Sequence, residues 1–166
     1  MQHSTYVRGI FWGMVGGLAG TIAMSLLGVG IFTIMELPVD TSFTIIGDSA
    51  AAFFTKLGIA LAGGDRTGMS LYCLIGLVFG AMLGTGVVGL EPLKRASIKK
   101  RVGLSILFVE VMSLPLLLAA TLSLKMSTAS AALWFGISFV MHLVYGLVLG
   151  LVLNLGSDRR NRGRQK

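Results

Sequence analysis

The chain has 166 residues, of which 54% are apolar and only 13% charged, and its mean hydropathy is +0.84. Charged residues are about half the usual share for a soluble globular domain, so little of the chain can form a water-facing surface, and the length leaves no room for a separate soluble domain. The excess of 14 Lys and Arg over 7 Asp and Glu lies in two short clusters beside apolar runs, which suits anionic lipid headgroups and excludes nucleic acid as the partner.

From Gly9 to Met35 no residue is charged. As a helix this run is roughly 40 Å long against a hydrocarbon core of about 30 Å, so it must tilt or project. A signal peptide has a much shorter apolar core than this. Three further runs follow, and spans are expected over 9–35, 69–90, 102–124 and 131–155. The segment from Ser42 to Gly64 is also apolar but contains Asp48 and Lys56. It reads as an interfacial or half-inserted amphipathic helix over about 48–62, capped by Asp48, with Phe53, Phe54, Leu57 and Leu61 on one side and a stop at Gly63-Gly64.

Charge chooses between four spans and five. With four, Arg8, the cluster Lys94, Arg95, Lys99, Lys100 and Arg101, and the tail 157–166 with Arg159 and Arg160 share one side. The first loop, with Glu36, Asp40, Asp48 and Asp65, lies on the other, in keeping with the positive-inside bias. A fifth span would separate the two basic clusters. The expected fold is therefore all-α: a single membrane domain, 1–166, built as a four-helix bundle with an extra helix in the first outer loop and both termini cytoplasmic. Lys94, Arg95, Lys99, Lys100, Arg101, Arg159 and Arg160 are expected to meet lipid headgroups.

Glycine occurs 23 times, mostly inside the spans, where small residues let backbones approach closely in lipid. Gly9, Gly13 and Gly17 share one face of the first span, with Gly16 and Gly20 offset from it. Gly76, Gly80 and Gly84 share a face of the second, and Gly146 and Gly150 a face of the fourth. Tyr72-Cys-Leu-Ile-Gly76-Leu-Val-Phe-Gly80 aligns without gaps on His142-Leu-Val-Tyr-Gly146-Leu-Val-Leu-Gly150. That register relates two hairpins as a parallel repeat, an arrangement found in transporters; shared Leu, Val and Gly composition is the alternative source of the likeness.

Two ionisable residues fall within spans. Glu110 is roughly 12 Å along the third and His142 near the middle of the fourth, a pair that can meet if their faces turn together. Intramembrane ionisable groups are costly and usually paired. Tyr145, three residues after His142, shares its face, and Pro115 should bend the third span near this level. A proton or ion relay is one reading of the pair. A histidine ligand to a pigment or haem is another, and simple satisfaction by Ser113 or a helix carbonyl is a third. The only other histidine is His3, outside the spans, and Cys73 is the only cysteine, so neither a bis-histidine haem nor a cysteine metal site is expected. Trp12, Trp134, Tyr6 and Tyr72 read as interfacial belt residues. No catalytic motif is present, and no enzyme activity or identifiable cofactor is expected.

The segments Gly13-Met-Val-Gly-Gly-Leu-Ala-Gly20-Thr and His142 to Gly150 resemble patterns in small four-span prokaryotic membrane proteins of the YagU-like group. The resemblance covers about a third of the chain, leaves out the acidic first loop and implies no particular activity. It places the chain in the inner, cytoplasmic membrane. Sparse chemistry, small-residue faces and the lack of an extramembrane domain suggest a non-catalytic accessory subunit of a larger membrane complex, with lipids and other membrane subunits or further copies of itself as partners. A small oligomeric transporter or channel using Glu110 and His142 is the alternative, and a pigment- or haem-binding protein using His142 a third.

Overall fold

A computed structural model describes residues 2–90, 93 and 96–162, with side chains from Tyr6 to Gly156 apart from residues 91, 92, 94 and 95. Among these residues there are five helices and no strands: α1 (Gln2–Ile34), α2 (Thr41–Lys56), α3 (Asp65–Gly89), α4 (Ile98–Ser123) and α5 (Thr128–Arg162). Four of them contain stretches long and apolar enough to cross a bilayer, Tyr6–Ile34, Asp65–Gly89, Ile98–Ser123 and Thr128–Gly156. The 16 residues of α2 make a helix of roughly 24 Å, short of the hydrocarbon thickness. The chain is thus a four-span membrane bundle with one additional helix, and an even number of spans brings both termini to one end.

Glycine sets the helix spacing. A methyl group placed on Gly80 would sit 2.9 Å from the Gly13 carbonyl carbon and 2.9 Å from the Gly17 Cα. Gly84 faces Gly9 and Gly13, and Gly76 faces Gly17 and Thr21, so α1 and α3 run antiparallel along one seam. A second seam joins α4 to α5, where the same methyl on Gly146 would lie 2.6 Å from the Ile106 Cα and on Gly150 2.7 Å from the Val102 Cα. Between the seams α1 meets α5, with Gly16 against Leu149 and Gly20 against Tyr145. Every candidate packing glycine, Gly13, Gly17, Gly76, Gly80, Gly84, Gly146 and Gly150, therefore lies at a contact within the chain. The repeat register has a physical counterpart: Gly76 and Gly146 occupy equivalent places, each against the span that precedes it.

The extra helix departs from its expected limits. It starts at Thr41, a full turn and more before Asp48, because Phe43 and Ile46 already pack inward, and Phe43 sets its ring edge-on to Tyr72 with centroids 5.2 Å apart. It ends at Lys56 because Gly58, at φ 77°, takes the left-handed conformation that closes a helix. Asp48 is not the cap. From mid-helix its Oδ1 accepts the Gly64 N–H at 2.8 Å, tying α2 to the residue that precedes α3. Gly64 itself has φ 87°, a conformation open to glycine at little cost. Gly47 and Gly68 bring the backbones of α2 and α3 together.

The basic residues divide. Lys99 and Lys100 are exposed at the start of α4, where Ser97 caps the helix by accepting the Lys100 N–H. Lys94 and Arg95 lie outside the described residues, as do the side chains of Arg159 and Arg160. Arg101 is a correction to the headgroup assignment: it is buried, donating to Asn154 Oδ1 at 3.1 Å and to the Leu93 carbonyl at 3.4 Å. The cause is its register, since Arg101, Ser105, Val109, Ser113 and Leu117 form the inward face of α4 at a spacing of four.

Candidate functional site

Beyond the two glycine seams, toward the end opposite the termini, the helices part and enclose a chamber of about 360 Å³. Its wall is almost entirely apolar. α1 contributes Thr21 and Met24; α2 lays Ser42, Ile46, Ser49 and Phe53 along one side. α3 adds Tyr72, Gly76 and Phe79, α4 adds Val109, Ser113 and Leu117, and α5 adds Trp134, Ser138, Met141, His142 and Tyr145. Where α3 and α4 approach each other, Phe79 and Phe108 meet edge-on with centroids 6.0 Å apart. Three lining residues, Phe53 of α2 and Leu116 and Ala119 of α4, are also exposed on the outside of the bundle. The chamber therefore opens sideways between α2 and α4.

The structure brings the expected polar pair together. His142 Nδ1 lies 3.5 Å from Glu110 Oε2 and 3.0 Å from Ser113 Oγ. Ser113 donates its single proton to the Val109 carbonyl at 2.7 Å, so its oxygen is left to accept from His142 Nδ1–H. The neutral imidazole then carries its proton on Nδ1 and keeps Nε2 as an acceptor. Glu110 Oε1 is buried without a hydrogen-bond partner. A carboxylate so placed in apolar surroundings demands a proton or a cation, and the imidazole beside it is the nearest source of either. Pro115, within α4 and a little over one turn beyond Glu110, lacks the N–H that would otherwise reach the carbonyl of Val111, the residue after Glu110.

Tyr145 stands apart from this pair. Although it follows His142 by three residues, its hydroxyl crosses to α3 and donates to the Gly76 carbonyl at 2.6 Å. Its side chain is among the most deeply buried in the molecule, and its ring fills the space left by Gly20. It joins the two hairpins at the base of the chamber.

Tyr72 and Trp134, expected from the sequence at the bilayer interface, lie elsewhere in the structure. Both are buried, each only 8% exposed, and both line the chamber. Trp134 Nε1, the Tyr72 hydroxyl and the Ser42 hydroxyl have no hydrogen-bond partner. Ser25 is the polar side chain beside the Tyr72 hydroxyl and, with its own proton given to the Thr21 carbonyl, could only accept from it, but the two lie outside hydrogen-bond geometry. A buried polar group left unpaired typically costs about 1–3 kcal/mol, so three around one chamber form a concentrated polar demand. The signal was available in the register. Tyr72 falls on the face of Gly68, Gly76 and Gly80, and Trp134 on the face of Ser138, Met141 and Tyr145.

Fold and chamber together define a multi-pass helical membrane protein with a cavity among its spans and an ionisable pair of which His142 reaches the cavity wall. No protein-family model, curated protein or solved structure matches the chain.

Proposed function

We propose that the protein is a small membrane carrier, taking a membrane-dissolved molecule into the chamber and linking its movement to a proton held between Glu110 and His142. The observation that carries this reading is the double position of His142, whose side chain belongs to the chamber wall and also lies 3.5 Å from Glu110. A molecule in the chamber and the protonation state of the pair therefore act on the same imidazole. The basic clusters favour cytoplasmic termini in the inner membrane, with the mouth of the chamber nearer the outer leaflet.

The test is reconstitution into liposomes loaded with a pH-sensitive dye, with a pH gradient imposed across the membrane. Wild-type protein should give proton flux above empty vesicles, and Glu110→Gln and His142→Gln should each remove most of it while the protein keeps its helical spectrum. Equal flux in wild type and both variants would sink the proposal.

An accessory role in a larger complex is the competing reading. It drew on small-residue faces, and the glycines of those faces are engaged within the chain. Large apolar side chains such as Leu26, Leu107 and Leu122 cover much of the exterior, which suits lipid as readily as a protein neighbour. A stoichiometric protein partner, retained through purification in mild detergent with native lipids, would favour this reading over the carrier. Visible absorbance in the same preparation would favour a pigment or haem held by His142 Nε2.

A further inference from the structure

We propose that the chamber selects an uncharged, oxygen-bearing apolar molecule that arrives sideways from the lipid and is held by hydrogen bonds from Trp134, Tyr72 and Ser42. The inference names the ligand class for the carrier reading above, yet it concerns binding, which is measurable without transport.

Three features of the wall define the class. The first is the set of unpartnered groups: Ser42 is 5% exposed, Tyr72 8% and Trp134 8%, and all three line the same space. They come from three different helices, α2, α3 and α5. An indole N–H can only donate, and so it requires an acceptor. The hydroxyls of Tyr72 and Ser42 can donate to the same oxygen or to a second one. The occupant therefore carries at least one carbonyl, ether or hydroxyl oxygen.

The second feature is charge. Among the lining residues there is no Lys, Arg, Asp or Glu, and His142 is the only histidine there. An anionic head would be desolvated with no cation to meet it, and a cationic one would face an N–H donor. The occupant is neutral. The third is size and access. A volume of about 360 Å³ lies within the ordinary range for small-molecule sites. The opening between Phe53 and Leu116 faces the side of a membrane bundle, so the supply is the bilayer.

The class is testable with three probes of equal chain length and different ends: dodecan-2-one, dodecane and dodecanoate. Each is radiolabelled and titrated against the full-length protein in lipid nanodiscs, with empty nanodiscs subtracted. Dodecan-2-one should bind saturably, one per chain, at least ten-fold more tightly than either of the others. Trp134→Phe should weaken the ketone about five- to ten-fold and leave dodecane unchanged. Because that substitution deletes an unpaired donor, thermal unfolding should be unchanged or improved, which separates lost recognition from lost folding. In a Trp12→Phe background Trp134 is the only tryptophan, and its emission should move to the red as the ketone, but not dodecane, is added.

Equal binding of ketone and dodecane, or an unaltered ketone affinity in Trp134→Phe, would overturn the proposal, and the chamber would then be a plain hydrocarbon or water-filled site. Dodecanoate binding tightest would overturn its neutrality. Glu110 is not among the chamber-lining residues, so Glu110→Gln should keep ketone binding while removing proton flux. Binding without flux would remove the carrier reading and leave the ligand class standing; flux without selective binding would do the reverse.

Discussion

Replacing Gly80 with alanine is the sharpest test of how this bundle is held. The added carbon would meet the Gly13 carbonyl carbon and the Gly17 Cα, each at 2.9 Å, with the Gly13 carbonyl oxygen nearer still. Comfortable carbon–carbon contact begins at about 3.5 Å. All three obstacles are backbone, so no rotamer change relieves them and α1 must move away from α3 by on the order of 1 Å. Overpacking of this kind costs about 1–3 kcal/mol. At Gly86, on the same helix, nothing lies within 4 Å of the added carbon, and alanine there should gain about 0.5–1 kcal/mol from its better helix propensity. The two variants should therefore differ by about 1.5–4 kcal/mol. Equilibrium unfolding from mild detergent into dodecyl sulfate, followed by ellipticity, measures the gap. Equal stabilities would refute the claim that the α1–α3 seam is a backbone contact. Gly13→Ala combined with Gly80→Ala should cost less than the sum of the singles, because one displacement of α1 relieves both.

Tyr145→Phe removes only the hydroxyl that reaches the Gly76 carbonyl and should lower unfolding stability by about 0.5–1.5 kcal/mol; Tyr145→Ala, which empties the space beside Gly20, should cost about 3–5 kcal/mol in the same assay. Asp48→Ala frees the Gly64 N–H and should speed hydrogen exchange at Gly64 and across the first turn of α3, while Asp48→Asn, which keeps an acceptor oxygen, should leave most of the protection. Equal protection in wild type and Asp48→Ala would show that the tie contributes nothing.

The spans were legible because a bilayer imposes long uncharged runs, and each one was located to within about a turn. The packing glycines were legible for a related reason: spacing of four marks a helix face whatever the face touches. Their partners were not, because the same spacing serves a contact inside the chain or between chains. Glu110 and His142 could be paired from depth alone, since few other groups were available to either. Tyr72 and Trp134 were misplaced because position along a span separates interface from interior poorly within two turns of the end. α2 was shifted for a local reason, a left-handed glycine at Gly58 that ends the helix before the more conspicuous Gly63-Gly64 pair. Arg101 was misread because a basic cluster suggests a solvated face, whereas helical register turns one of its members inward.

The two seams also account for the place of the chamber. Along α3 the close glycines Gly84, Gly80 and Gly76 face Gly9, Gly13 and Gly17, and along α5 Gly150 and Gly146 face Val102 and Ile106. Both series hold the helices close on the side of the termini and stop at equivalent points of the internal repeat. One turn farther along stand Tyr72 and His142, the aligned positions, and both line the chamber. The cavity thus begins where each hairpin exchanges glycine for a large polar side chain. α2, held by the tie from Asp48 to Gly64, covers the gap between α3 and α4 without sealing it. The seam and the polar wall should therefore respond independently. Gly80→Ala should loosen the bundle while the donors of Trp134, Tyr72 and Ser42 keep their selectivity for a neutral oxygen, and Trp134→Phe should blunt that selectivity in a bundle as stable as the wild type.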